Sequence, residues 1–363
     1  MNTGEIVIRA GREDIYSLLK DHLRLQPNLL SPFTELFQGG AVPSTHTQEL
    51  INLAANPDVI ACIKILAEPA VTYHIRLGGP ATSSGEMYIC SADHLSFVLT
   101  TTFDWNSFGI QYCATTEHLA GFLSSFLLMD NENEYEPQFP ETMDFEFFIL
   151  LANIIDSYKY TISRNALAHE AITTLVLSST EFNTLLKNSL TKPDFSWLVT
   201  NIAGLLPSAA ATRLQGKETN YLGLFENGYL AAVKNNTTGD ECLMLSVVAI
   251  DAGAEFLNTW IKSAGIERSM LSDDRVQTKP MAFLCSTALT NHCFNFSVAE
   301  GVIQYEPLNN TNSKAVIGKL FDTRNEIKPA EKPELSVTSA FCIKCGAKLK
   351  PGARFCPACG NKL

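Results

Sequence analysis

The chain has 363 residues, of which 46% are hydrophobic and 18% charged, with a net charge of −11. That length accommodates one large or two ordinary domains, and the composition describes a folded, well-buried chain rather than a disordered one. Five of the 27 basic residues (Lys344, Lys348, Lys350, Arg354 and Lys362) and none of the 38 acidic ones fall in 341–363, so the remainder carries −16. A body that acidic repels phosphate backbones, which argues against general nucleic-acid binding by it.

In chain order, Ile6–Ile8 reads as a short strand or lead-in, and Arg12–Leu25 as a helix with Ile15, Leu18, Leu19, His22 and Leu23 at helical spacing. Phe33–Phe37 is a second helical patch. Thr47–Ala55 reads as a helix stopped near Asn56-Pro57-Asp58, and Val59–Leu66 as another. Val71–Arg76 reads as extended and is broken by Gly78-Gly79-Pro80. Met87–Cys90, Leu95–Thr100 and Phe108–Cys113 have strand character and are joined by polar turns. Thr115-Thr116-Glu117 opens a helix that carries Leu119, Phe122, Leu123 and Phe126, and Asp130–Glu141 is an acidic loop.

The second half reads as a repeat of this plan. A shift of 134 residues sets Phe108, Ile110 and Tyr112 against Cys242, Met244 and Ser246, and the helix residues Ala120, Phe122, Leu123 and Phe126 against Ala254, Phe256, Leu257 and Trp260. Phe145–Tyr158 then corresponds to the helix at Arg12–Leu25. The expectation is an α+β body over 1–321, an internally duplicated antiparallel β-meander with helices and a pseudo-two-fold axis. Its repeats are 12–127 and 146–261, with a partial third β-β-α set at 281–321. Residues 322–340 lack apolar periodicity and read as a linker that leaves 341–363 mobile relative to the body.

The last 23 residues carry the most specific chemistry. The phrase Phe-Cys-x-x-Cys-Gly-x-Lys-Leu occurs twice, giving the pairs Cys342/Cys345 and Cys356/Cys359. Four thiolates arranged this way surround one Zn²⁺ tetrahedrally, whereas two disulfides or buried thiols are the plainer use of four cysteines. Too few apolar residues are present for a core, so metal binding supplies the folding energy. The segment resembles the short zinc ribbons at the ends of many bacterial proteins. That resemblance implies one structural zinc with a closed shell, and no particular activity.

The other cysteines (Cys62, Cys90, Cys113, Cys242, Cys285 and Cys293) lie scattered in apolar runs and read as buried hydrophobes in a reducing compartment. Met1–Leu25 has no signal-peptide pattern, and the most apolar run, Phe145–Ile155, is interrupted by Glu146 and too short to span a bilayer. The expected location is cytoplasmic, with no membrane span.

No catalytic motif stands out, so no catalytic or cofactor-binding residue is assigned. The seven histidines do not share metal-ligand spacing, and His292-Cys293 with Cys285 lacks a fourth neighbouring ligand. Asp273-Asp274 and the acidic loop read as solvated surface. The leading expectation is a non-enzymatic protein-binding adaptor or chaperone for a helical or secreted partner. On the repeat at 12–127 and 146–261, the body resembles the EspG-type chaperones of type VII secretion. Those are pseudo-two-fold α+β proteins that hold secretion substrates in the cytoplasm, and the resemblance implies such a partner. The alternatives are a nucleic-acid or ribosome-associated factor acting through the basic ribbon, and an enzyme with an unfamiliar site in the body.

Overall fold

The computed structural model describes residues 7–38, 48–80, 85–104, 107–130, 139–170, 175–192, 194–205, 214, 220–234, 239–273 and 275–322. The chain divides into two units, Met1–Phe321 and Asp322–Leu363.

Strand β1 (Val7–Gly11) leads into helix α1 (Arg12–Ser17), which continues as a π-helical turn over Leu18–Leu23 and ends where Arg24 turns left-handed, with φ 52°. Helices α2 (Thr34–Gln38), α3 (Gln48–Ala55) and α4 (Pro57–Ala67) follow. The break at Asn56-Pro57 starts α4: Pro57 occupies its first turn, and the Asn56 side chain accepts from the amides of Asp58 and Val59. Four strands then run back and forth, β2 (Val71–Gly78), β3 (Gly85–Ser91), β4 (Phe97–Asp104) and β5 (Ser107–Cys113), before α5 (Thr116–Leu127).

The second half opens with β6 (Thr142–Asp144) and the long α6 (Phe145–Leu167), whose first turn is capped by Asp144 Oδ1 accepting from Phe147 N at 2.7 Å. Next come β7 (Val176–Ser178), α7 (Ser179–Thr191), α8 (Leu198–Ala203) and α9 (Leu222–Glu226). Helix α7 starts with a capping box between Ser178 and Glu181. Then follow β8 (Leu230–Lys234), β9 (Glu241–Leu245) and α10 (Val247–Thr259). A second four-strand run, β10 (Trp260–Ser272), β11 (Arg275–Thr287), β12 (Asn291–Ser297) and β13 (Val302–Leu308), precedes α11 (Ser313–Phe321).

These elements form an α+β body on one ten-stranded antiparallel sheet, ordered β1-β5-β4-β3-β2-β10-β11-β12-β13-β6, with a separate three-stranded sheet, β7-β9-β8. Both edges of the large sheet are built alike. An edge strand that leads into a helix (β1, β6) pairs with the last strand of a four-strand run, and the first strands of the two runs meet at the centre. There β2 and β10 pair from Val71↔Met270 to Gly78↔Ser263. Gly79 (φ 123°) lies just beyond, where a Cβ would come within 2.8 Å of Lys262 Cα, so a side chain is excluded.

This order corrects the alignment read from the sequence. Phe108, Ile110 and Tyr112 belong to β5 of the large sheet, but Cys242 and Met244 belong to β9 of the small one. The run that mirrors β2–β5 is β10–β13, and residues 281–321 are its later strands with α11 rather than a third set.

Side chains alternate across the sheet. On one face Tyr73, Ile75, Met87, Phe97, Ile266 and Leu284 pack beneath α5 and α11. The two helices approach where a Cβ on Gly318 would lie 3.7 Å from that of Ala120. On the other face, Cys90, Val98, Phe108 and Ile110 pack under α1 and α4. Phe283, Cys285, Phe294 and Phe296 pack under α6 and α10. Helix α6 is buried on every side from Phe148 to Tyr158, which accounts for the apolar run in the sequence. Among the described residues, no helix is long and apolar enough to cross a membrane.

Helices α6 and α10 approach so closely that a Cβ on Gly253 would overlap the Tyr158 ring. Gly253→Val is therefore expected to destabilise the body by about 1–3 kcal/mol in urea unfolding, and a variant of unchanged midpoint would refute this packing.

Candidate functional site

The four cysteines singled out as zinc ligands, Cys342, Cys345, Cys356 and Cys359, lie outside the described residues. Their fit to zinc is judged on the donor set, two Cys-x-x-Cys pairs supplying four thiols, which is the complement of a closed structural site. The six other cysteines are all buried and free. Burial holds their thiols above the ordinary range where a shift is resolved: Cys62 is pushed up to about 11 and Cys90 to about 12. Such thiols are poor nucleophiles and poor metal ligands at neutral pH. Among the described residues, no group of three His, Cys, Asp or Glu is placed to hold a metal ion.

His292, noted in the sequence for its neighbour Cys293, turns away from it. Its Nε2 lies 3.1 Å from Glu255 Oε1 and its Nδ1 3.0 Å from the Tyr305 hydroxyl. Glu255 Oε1 also accepts from the Thr287 hydroxyl at 2.6 Å. The rings of Phe139, Phe256 and Phe294 surround the imidazole. This set joins α10 to β11, β12 and β13 in the interior, closed to solvent, and acts as a polar lock in the core. Nothing in the local sequence marked Glu255 or Tyr305 as its partners, because the contacts are made across 37 and 13 residues.

A second polar set ties the central strands together. The His74 ring stacks on Tyr88 with centroids 4.6 Å apart, and Arg76 Nη2 lies 3.0 Å from Glu267 of β10. Arg76 also donates to the Gly204 carbonyl at 2.6 Å, anchoring the end of α8. Burial lowers the pKa of His74 and raises that of Glu267.

The exposed surface is more informative. Beside α5, on the face it shares with α11, Leu77, Met87, Leu99, Thr101 and Gln111 of the sheet line an open groove of about 380 Å³. Phe122 and Phe126 form its helical wall, stacked with ring centroids 5.8 Å apart, and Phe126 is 42% exposed. Gly85 and Gly109 line the groove without side chains of their own. The sequence held a signal for this feature. Helix α5 buries Leu119, Leu123 and Leu127 against the sheet, yet carries two further phenylalanines at i, i+4 outside that stripe.

The comparisons with known proteins bear on one end of the chain. The zinc-ribbon domain family matches residues 341–363. No curated protein matches the chain.

Asp156 on α6 offers a test of the buried polar groups. Its Oδ1 and Oδ2 accept from the amides of Leu198 and Val199 at 2.8 and 3.0 Å, capping α8 from a distance. Burial pushes its carboxyl up to about 6, against the opposing pull of Lys159 and the two amides. A folded-state pKa above the unfolded value of 3.8 means that the protonated form is favoured in the fold. Its contribution is therefore complete below pH 4 and is lost as pH rises through about 6, amounting to about 3 kcal/mol for a shift of roughly two pH units. Urea unfolding between pH 4 and 7 should show a flatter stability profile for Asp156→Asn than for the wild type; parallel profiles would contradict the assignment.

Proposed function

We propose that the chain is a non-enzymatic, cytoplasmic protein-binding adaptor or chaperone, with one structural Zn²⁺ held by Cys342, Cys345, Cys356 and Cys359. The observation that carries the adaptor reading is the apolar groove beside α5. A trough of that size takes a few apolar side chains from one face of a helix or from an extended segment, and its stacked phenylalanines supply rigid aromatic anchors. The partner is a protein with an apolar helical stripe, of the kind a cytoplasmic chaperone shields before secretion. For the zinc, the support is the match of 341–363 to the zinc-ribbon family together with the four-thiol donor set.

We further infer that the body arose by internal duplication, with a pseudo-two-fold axis between β2 and β10. The support is the mirrored strand order and the matching placement of α5 and α11 after each four-strand run. The copies are then β1–α5 and β6–α11, the second enlarged by the small sheet with α9 and α10. These boundaries replace 12–127 and 146–261.

One observation favours a second reading, in which the ribbon contacts nucleic acid or the ribosome: five basic and no acidic residues lie in 341–363. Affinity purification from the host separates the two readings. Phe126→Asp in the full-length chain is expected to cut recovery of the groove partner roughly tenfold or more, while deletion of 341–363 leaves recovery intact. Loss on deletion with no effect of Phe126→Asp would transfer recognition to the ribbon. Elemental analysis should find one zinc per chain and almost none in Cys345→Ser, with the circular dichroism of the body unchanged; an equal zinc content in both would reject the ligand set.

A further inference from the structure

Strands β10 and β11 are each 13 residues long, against 7 for β12 and β13, and their surplus length projects past β12 as a hairpin arm. The arm is paired within itself from Glu267↔Pro280 to Ser272↔Arg275, and the Ser269 and Thr278 hydroxyls meet across it at 2.8 Å. Its two edges are unlike. On the β10 side, β2 continues as far as Val71↔Met270. On the β11 side, pairing with β12 covers only Ala282–Ser286, so residues 275–280 have no strand beside them among the described residues. Arg275, Val276, Gln277, Thr278 and Lys279 are all exposed. Alternate residues of an extended strand direct their N–H and C=O groups away from the neighbouring strand, so this stretch offers a backbone edge of about 17 Å. Pro280, which has no N–H, closes it at the β12 end.

The side chains of this edge sort by face. In the register, Gln277 stands opposite Met270 and Lys279 opposite Arg268, and Met270 packs into the core beneath α5 and α11. Arg275, Gln277 and Lys279 therefore lie on that face. Val276 lies on the other, opposite Leu271, and the two are 43% and 41% exposed. The edge thus has a basic face and an apolar one, on a chain whose net charge is −11. Asp273 lies in the turn, beyond the last pair. Lysine and proline on an open edge discourage self-pairing. The register that uses the whole edge, centred on Gln277, sets Arg275 against Lys279 of a second copy, two like charges on one face. The same two cations attract a strand of opposite charge.

We propose that residues 275–279 dock an extended acidic segment of a partner protein, which adds to the sheet as a strand beside β11. Carboxylates on one face of that segment meet Arg275 and Lys279, and an apolar side chain on its other face covers Val276. The edge shares no residue with the groove beside α5, and the proposal does not depend on the groove.

The test is fluorescence anisotropy of a labelled peptide of about nine alternating glutamate and valine residues, titrated with the full-length chain. Saturable binding with a Kd below about 100 μM is expected. A lysine–valine peptide of the same pattern should bind roughly tenfold more weakly, as should the glutamate peptide with a central proline, which cannot complete the backbone ladder. Lys279→Glu replaces a like-charge pair with Arg268 by an opposite one, so the hairpin persists. It should weaken the glutamate peptide roughly tenfold and strengthen the lysine one. Amide exchange at 275–279 should slow when the glutamate peptide binds. Absence of saturable binding up to about 1 mM, equal binding of the two charge patterns, or equal binding of the central-proline peptide would overturn the proposal. So would a chain that sediments as a dimer and becomes monomeric in Val276→Lys, which gives the edge to a second copy.

Discussion

The pairing of β2 with β10 is the constraint on which the rest of the body depends. Each half contributes five strands, and only this antiparallel seam makes them one sheet. On one side of the seam Ile75 and Ile266 face each other, fully buried. On the other, the Arg76–Glu267 pair joins the same two strands and Arg76 reaches on to the end of α8. An exposed ion pair adds little stability, but one held at a half-buried seam adds register: a slip of one residue would carry Arg76 and Glu267 to the apolar face.

The same seam decides what is left uncovered. Helices α5 and α11 close one face by crossing near its middle, where Ala120 and Gly318 permit a close approach. Two helices crossing a ten-stranded sheet cannot cover all of it. The outer part of the β2–β5 run remains open beside α5, and there the sequence places Phe122 and Phe126 rather than charged residues. On the opposite face, the layers built on α1–α4 and α6–α10 cover the sheet, and its ionisable groups are sequestered in locks such as Glu255–His292–Tyr305. Of the exposed large hydrophobic side chains, Phe126 lies on the groove beside α5, while others, such as Leu29, Leu167 and Val247, lie elsewhere on the surface, and the interior histidine is closed to solvent.

Much of this was legible in the sequence, and the failures have physical causes. Helices with a clear apolar stripe and a cap, such as α4 and α5, were legible from spacing and from Asn56-Pro57 and Thr115. The strands of the first run were legible because short polar turns separate them, as at Asp93, whose Oδ1 accepts from the amides of Leu95 and Ser96 at 2.9 Å. Strand β10 was missed: Lys262, Glu267 and Arg268 interrupt its alternation, and their partners come from β2 and elsewhere in the fold rather than from neighbours in sequence. Without β10, the second four-strand run had no first strand, and β8 and β9 were aligned in its place. The zinc ligands rest on a repeated local motif, which needs no tertiary structure to be read. The groove is only half legible, since α5 shows its surplus aromatics but the uncovered strands opposite them follow from topology.

The central claim is that the groove beside α5 is the protein-recognition face. A photo-crosslinking amino acid placed at position 126 of the full-length chain, expressed in its host and irradiated, tests it most directly. The account predicts a discrete covalent adduct with a second protein, absent when the same probe replaces Leu167, which is exposed at the end of α6. No protein adduct at 126, or the same adducts from both positions, would contradict it.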